Sequence, residues 1–148
     1  MFTIAAIFVV ISICVLPQDI TAQADCKTLR RNSGPGKALT HWDFQCDDDG
    51  NFLPFQCTNN RTGPYCACFN DEGLVSSPST STKSCECNLA RNEALQSQKP
   101  ACEIPDCQIN GKYEKKQCCV QTKQCRCVDE TTGETTVSDT DDLDLTCP

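Results

Sequence analysis

The sequence predicts a small disulfide-rich α+β fold made of two tandem units, each a short helix plus a β-hairpin stapled by three disulfides. Three observations predict this fold. A cysteine-bounded motif occurs twice, as C-D-D-D-G-N-F-L-P-F-Q-C at 46–57 and as C-Q-I-N-G-K-Y-E-K-K-Q-C at 107–118. The cysteines around the two copies keep nearly the same spacing. The chain also holds 15 cysteines in 148 residues, a density typical of extracellular disulfide scaffolds.

The cysteine spacing divides the chain into unit one, residues 26–85, and unit two, residues 87–147. In both units the first two cysteines are 20 positions apart, and the second and third are 11 apart. The third and fourth cysteines are 9 positions apart in unit one and 7 in unit two. In both units a Cys-x-Cys step follows, and the fifth and sixth pattern cysteines are 17 positions apart in unit one and 20 in unit two. Such self-similarity indicates two copies of one structural unit. Only Glu86 separates the units, which predicts a restricted mutual orientation.

Residues 1–24 are predicted to be a secretory signal peptide. They form an apolar run with no charge before Asp19, and A-Q-A at 22–24 supplies the small residues of a cleavage site. An uncleaved membrane anchor is the alternative, but the run is short and weakly flanked for a membrane span. Cleavage after Ala24 would remove Cys14, so an even number of cysteines would remain and every thiol could be paired. The expectation is a secreted, extracellular chain without membrane insertion.

Charge and size limit what the chain can do. The mature chain would carry 13 Lys and Arg against 19 acidic residues, because Asp19 leaves with the signal, and its formal charge would be −6. The acidity argues against nucleic acid as a partner, because the chain has no basic stripe to neutralise phosphates. A unit of about sixty residues buries only roughly 60% of its unfolded surface. Disulfides must therefore add stability, and closing a loop of about 15 residues contributes about 3 kcal/mol.

Each unit is predicted to begin with a short helix. In unit one the helix spans residues 27–32 and is ended by Gly-Pro-Gly at 34–36. In unit two Asn88 is expected to cap a longer helix, because the residues up to Gln96 are mostly good helix formers, and Pro100 stops it.

A hairpin is predicted to follow each helix. The turn dipeptides Asp-Gly at 49–50 and Asn-Gly at 110–111 precede extended segments, and the chain returns through residues 65–69 and 124–128. Alternate side chains of a strand share a face, so the two cysteines of each Cys-x-Cys step point the same way. The tails that follow lack periodicity and are expected to be loops, including the acidic stretch 139–144.

These motifs resemble those of the thyroglobulin type-1 family over nearly all of residues 26–147. The matching positions are Cys46, Gly50, Phe52, Gln56, Cys57, Cys66 and Cys68 in unit one, and Cys107, Gly111, Tyr113, Gln117, Cys118, Cys125, Cys127, Val128, Asp129 and Gly133 in unit two. The family usually has Trp inside the Cys-x-Cys step, packed in its small core, where this chain has Ala67 and Arg126. Either the units are looser, or another side chain fills the space.

The resemblance implies a disulfide pairing, which spacing alone could not choose among fifteen connectivities. The implied pairs are Cys26 with Cys46, Cys57 with Cys66, Cys68 with Cys85, Cys87 with Cys107, Cys118 with Cys125, and Cys127 with Cys147. Cys102 and Cys119 have no counterparts in unit one and would form a seventh bridge. The doublet of Cys118 and Cys119 leaves their assignment open, although the repeated Gln-Cys step favours Cys118 as the family cysteine.

The residues argue against an enzyme. The chain has one histidine, His41, and no free cysteine in the paired scheme, so a catalytic Cys-His pair is disfavoured. The Cys-x-Cys steps could bind zinc only as reduced thiolates, which a secreted chain does not favour. The D-D-D-G run at 47–50 has its glycine at the wrong position for a calcium loop. No metal and no cofactor are expected.

Recognition by shape remains, and the resemblance suggests its target. Thyropins of this family inhibit papain-like cysteine proteases, and some inhibit aspartic ones, by inserting rigid loops into the active-site cleft. The layout also resembles the ctenitoxin-type thyroglobulin type-1 proteins of spider venom. The expectation is therefore a monomeric inhibitor of a papain-like cysteine protease. The alternative is a non-inhibitory venom or extracellular module that acts on a receptor or channel.

Four loop segments are candidates for the inhibitory contact, and ordinary connecting loop is the alternative for each. They are residues 38–44 and 58–65 in unit one, and residues 98–104 and 121–124 in unit two. The candidate contact residues are Leu39, Trp42, Asn60, Tyr65, Lys99 and Thr122. Exposed Trp and Tyr make good interface anchors. Asn60 also begins the sequon N-R-T, which predicts an exposed glycosylation site.

Overall fold

The computed structural model describes residues 25–39, 41–60 and 63–148. The predicted signal peptide lies outside the described residues, and so do the last two residues of the sequon. The elements are α1 (Cys26–Arg31), β1 (Phe55–Cys57), β2 (Cys66–Asn70), β3 (Gly73–Leu74), α2 (Glu86–Gln96), a 3-10 turn (Ala101–Glu103), β4 (Lys116–Cys119), β5 (Gln124–Val128) and β6 (Thr135–Thr140). They confirm the predicted small disulfide-rich α+β class.

Helix α1 is short and is held at its N-terminal end. Asp25 caps it, because its carboxylate accepts a hydrogen bond of 2.7 Å from the backbone N–H of Thr28. Six residues are too few for a stable isolated helix, but Cys26 is buried and bonded to Cys46. The helix therefore depends on its disulfide and on packing.

Helix α2 begins two residues before the predicted cap. Asn88 lies inside the helix, Cys85 is the N-cap residue, and the Glu86 carboxylate accepts a hydrogen bond of 3.1 Å from the Cys85 backbone N–H. The prediction for Asn88 was wrong because a glutamate in the first turn can satisfy a free N–H group there. The helix ends at Gln96, four residues before Pro100, which instead precedes the 3-10 turn.

Each unit contains an antiparallel sheet of three strands, in the orders β1-β2-β3 and β4-β5-β6. The predicted hairpins are present, and the disulfides Cys57–Cys66 and Cys118–Cys125 join residues directly opposite each other. The third strands were predicted as loops, and this was wrong. Strand β6 is almost entirely exposed and includes the first two residues of the acidic stretch 139–144. It pairs with β5 through its backbone, which needs no apolar periodicity.

The core of unit one is aromatic. Phe44, Phe52 and Phe69 are buried with Ala67, and Trp42 packs against them. The Phe44 and Phe69 rings lie 5.7 Å apart, and those of Phe52 and Phe69 lie 5.1 Å apart. Ala67 is fully buried within this cluster. Aromatic rings from other segments therefore fill the space at the position where the family carries its tryptophan.

Unit two has a smaller core, in which cysteines predominate. Its buried apolar side chains are those of Cys87, Ala94, Cys125, Cys127 and Val128. Arg126, at the other tryptophan position, is only half-buried and lines an open groove of about 480 Å³. Unit two therefore relies more heavily on covalent links than unit one.

Seven disulfides connect the fourteen cysteines of residues 25–148. The pairs are Cys26–Cys46, Cys57–Cys66, Cys68–Cys85, Cys87–Cys107, Cys102–Cys119, Cys118–Cys125 and Cys127–Cys147. This is the pairing that the resemblance implies. Within the doublet, Cys118 takes the hairpin bond and Cys119 takes the seventh bridge.

The two units meet through backbone hydrogen bonds. The carbonyl of Asn110 accepts bonds from the N–H groups of Lys83 (2.8 Å) and Ser84 (3.1 Å). Gly111 is buried and adopts φ 91°, and a Cβ there would lie 1.9 Å from the Ser84 carbonyl oxygen. Helix α2 also packs against β2. Unit two therefore docks its turn closely onto the end of unit one.

Candidate functional site

The glutamine of each repeated Gln-Cys step fixes the segment that precedes the hairpin in its unit. In unit one the Gln56 side chain accepts from the Gln45 N–H (2.9 Å) and donates to the carbonyls of Gln45 and Leu53 (both 3.0 Å). In unit two Gln117 makes the same three bonds, to the backbone of Asp106 and Glu114, at 2.7 to 2.9 Å. The repeat of Gln in both motifs was the sequence signal for this clamp.

In each unit the two candidate segments lie side by side, and we call each pair a binding edge. The unit-one edge consists of the described residues of 38–44 and 58–65, which are 38–39, 41–44, 58–60 and 63–65. The unit-two edge consists of residues 98–104 and 121–124. In unit one the Asn59 N–H donates to the His41 carbonyl at 2.7 Å, and Trp42 pairs with Thr58. The structure thus brings the loops of this edge together as a single surface.

In the unit-two edge a covalent bond has the equivalent role. Cys102 and Cys119 each lie 61 positions after His41 and Thr58, the same offset that relates the two cysteine motifs. Their disulfide joins the 3-10 turn to the end of β4, with a Cα–Cα distance of 4.8 Å. The seventh bridge therefore lies where unit one uses backbone pairing.

In the unit-one edge, the predicted exposed anchor Trp42 is turned inward. Its ring stacks on Phe44 at 5.2 Å and meets Phe69 edge-on at 5.9 Å, so it is half-buried in the core. Leu39 is also half-buried and packs against this cluster. Asn60 and Tyr65 are exposed, with Tyr65 48% accessible. The expectation of an exposed tryptophan was wrong because the core of unit one recruits its ring.

In the unit-two edge the candidate residues Lys99 and Thr122 are both exposed. Sequence reasoning missed Val120, which is 86% accessible at the tip of the β4–β5 hairpin. Its turn is compact, since Lys123 adopts the left-handed φ of 56° and the Thr122 N–H lies 3.3 Å from Cys119 Sγ. The signal for Val120 was an apolar residue between a cysteine doublet and a short polar turn.

Three carboxylates with lowered pKa values, those of Asp47, Glu86 and Asp129, serve as turn or helix caps. The backbone N–H of Asn51 lowers the pKa of Asp47, and backbone N–H groups of Thr132 and Thr131 lower that of Asp129. The Ser84 hydroxyl lowers the pKa of Glu86.

In residues 25–39, 41–60 and 63–148 no group of three or more potential ligands is placed to hold a metal ion. No helix there has the length and apolar character needed to cross a bilayer.

Two disulfide-linked units, each with a three-stranded sheet and a pair of adjacent loops, define a class of small disulfide-rich scaffold. The model of the thyroglobulin type-1 repeat family matches residues 22–87 and 85–147, and the chain belongs to that family. The family is non-enzymatic. Its domains generally bind other proteins, and the disulfide count agrees with an oxidising compartment.

The curated relatives are toxins and thyroglobulins. U24-ctenitoxin-Pn1a of Phoneutria nigriventer is 30% identical over 109 residues, which cover 73% of this chain and 84% of that protein. U20-hexatoxin-Hi1a of Hadronyche infensa is 33% identical over 92 residues, covering 60% of this chain and 61% of that protein. Thyroglobulin of Rattus norvegicus is 31% identical over 94 residues, which cover 57% of this chain but only 3% of thyroglobulin.

Proposed function

We propose that the chain is a secreted, thyropin-like inhibitor of papain- or cathepsin-type cysteine proteases. It would block the active-site cleft with disulfide-held loops and would undergo no chemistry itself. The observation that carries the proposal is that each binding edge has its two loops fixed side by side, by backbone pairing in unit one and by Cys102–Cys119 in unit two. Family membership adds support, because many thyroglobulin type-1 domains inhibit cysteine proteases.

The physical reason is the conformational entropy of binding. Ordering a mobile loop on contact costs about 0.5–1.5 kcal/mol for each immobilised side chain, whereas a loop already fixed in its bound shape avoids that cost. A fixed loop also resists the extended conformation that a protease needs for cleavage. A stapled edge can therefore occupy a cleft as an inhibitor does.

The proposed molecule is the monomer that remains after cleavage behind Ala24. Toxin relatives and many disulfides favour secretion of this product. An N-glycan on Asn60 would lie on the unit-one edge, since that side chain is exposed.

A second candidate function is a non-inhibitory venom or extracellular module that binds a receptor or channel. The observation that favours it is that the two spider relatives carry toxin names. The same edges would then contact a target other than a protease.

Inhibition assays with the mature protein, residues 25–148, distinguish these functions. We expect reversible, competitive inhibition of papain or cathepsin L at sub-micromolar concentration, measured with a fluorogenic peptide substrate. Aspartic and serine proteases complete the panel as comparisons. Absence of inhibition across the panel would reject the first function in favour of the second.

A further inference from the structure

The two binding edges differ in how they are fixed. The unit-one edge is held by the antiparallel bridge of Trp42 with Thr58, in which the Asn59 N–H donates to the His41 carbonyl. The unit-two edge is held by the covalent bond Cys102–Cys119 at the equivalent positions. A covalent brace prevents the loops from separating, whereas backbone pairing can open. The unit-two edge is therefore the more rigid.

The edges also differ in what they present. In the unit-one edge the largest apolar side chain, Trp42, is packed into the aromatic core. Directly before residues 121–124 of the unit-two edge, Val120 lies at the hairpin tip and is 86% accessible. Its neighbours at 121–123 are exposed and polar. A single, strongly exposed apolar side chain at a hairpin turn fits an apolar subsite inside a concave substrate cleft.

The return loops differ in length as well. The interval between the third and fourth cysteines is 9 in unit one and 7 in unit two, and each pair closes its hairpin with a disulfide. The unit-two turn therefore has fewer residues between two fixed ends. With Cys102–Cys119 attached beside it, this turn loses little further freedom on binding.

We infer that unit two carries the inhibitory contact, with Val120 as the anchor that enters an apolar subsite of the protease cleft and Cys102–Cys119 as the brace that holds it there. This inference rests on the proposed function and assigns it to one edge. The brace is a positioning element, and Val120 is the contacting residue. Unit one then serves mainly as the support onto which unit two docks.

Single substitutions in the mature protein test the anchor. Val120→Asp should raise the inhibition constant for papain at least tenfold, because a charged group would have to enter the apolar subsite. Ile109→Asp is the matched control, since Ile109 is 83% exposed in a different loop of unit two. Tyr65→Asp tests the unit-one edge. Both of these should stay within threefold of wild type, with disulfide mapping confirming an intact fold.

The paired substitution Cys102→Ser with Cys119→Ser tests the brace. The six cysteines that match the family pattern in unit two remain, so the Cys118–Cys125 link can be checked by mass mapping. We expect at least tenfold weaker inhibition, together with cleavage of the freed hairpin by the protease, seen as a mass shift that wild type does not show. A merely structural bridge would leave the hairpin uncut.

The outcomes distinguish failure of this inference from failure of the proposed function. If wild type inhibits but Val120→Asp does so equally well, or if Tyr65→Asp is the more damaging change, this inference is overturned and the proposed function stands. If the brace variant inhibits like wild type and stays intact, the role of Cys102–Cys119 is rejected. If wild type inhibits no cysteine protease, the proposed function fails and this assignment with it.

Discussion

Gln56 and Gln117 show how one side chain can define a repeated unit. Each uses its amide to hold two stretches of backbone that sequence separation would otherwise leave independent. An amide suits this role because it offers both a donor and an acceptor at one end. The difference between the two sites is burial, since Gln56 is 3% accessible and Gln117 is half-buried.

Burial predicts unequal costs for removing these amides. Gln56→Ala should lower the free energy of unfolding of unit one by about 2–3 kcal/mol, because buried backbone groups lose their partners. Gln117→Ala should lower the free energy of unfolding of unit two by only about 1 kcal/mol, since water can replace some of the hydrogen bonds that the half-buried amide makes. Native-state hydrogen exchange resolves the units separately. Gln45→Ala is the control, because Gln56 contacts only the backbone of Gln45; an effect there as large as at Gln56 would refute this account.

The turn that Asp47 caps is expected to lose stability at low pH. The Asp47 carboxylate accepts hydrogen bonds of 2.8 Å from the N–H groups of both Gly50 and Asn51, and the pKa is lowered, chiefly by the Asn51 N–H. A pKa that is lower in the folded state gives stability that is present above the unfolded value of about 3.9 and lost as pH falls through the folded pKa. The protection factors of the Gly50 and Asn51 amides, which correct the exchange rate for its intrinsic dependence on pH, should fall below about pH 4. Asp47→Ala should remove that pH dependence, and its persistence would contradict the assignment.

At the scale of elements, the sequence predicts what local chemistry determines. Turn dipeptides and helix formers located both helices and both hairpins. Strands β3 and β6 could not be found in this way, because β3 has two residues and β6 is exposed. Their existence depends on the neighbouring strand, which offers unpaired backbone groups. The start of α2 was also misplaced, since the choice between Cys85 and Asn88 depends on the disulfide and on Glu86.

The turn at residues 110–111, which docks onto the end of unit one, is expected to tolerate no side chain at Gly111. Gly111→Ala should destabilise the junction strongly, by more than about 3 kcal/mol, because a Cβ there meets the Ser84 carbonyl oxygen at 1.9 Å in addition to backbone strain. Gly34→Ala is the matched control, since Gly34 has a similar φ of 97° but no atom within 4 Å. That variant should cost only about 1 kcal/mol. Thermal unfolding of both proteins provides the comparison, and equal losses would show that the contact with Ser84 is unimportant.

At the scale of the whole molecule, the repeat predicted two units, which the family match bears out. The binding role of their edges stays a prediction. The repeat did not predict which side chains face outward. Trp42 turns inward because unit one gathers four aromatic rings around Ala67, and that cluster is assembled from segments distant in sequence. Val120 turns outward because Cys119, beside it, is drawn to Cys102. Both orientations depend on tertiary partners, which spacing alone does not reveal.

The short link at Glu86 predicts that the two units tumble as one body. Lys83 and Ser84 donate to Asn110 across the junction, and a one-residue link keeps these groups in register. Inserting Gly-Ser-Gly-Ser between Cys85 and Glu86 should release them. Exchange of the Lys83 and Ser84 amides should rise at least tenfold, and ¹⁵N relaxation should give the units separate correlation times. The same insertion between Pro35 and Gly36, in an exposed turn, should change neither quantity. Unchanged protection after the junction insertion would mean that packing of α2 on β2, and not the short link, holds the units together.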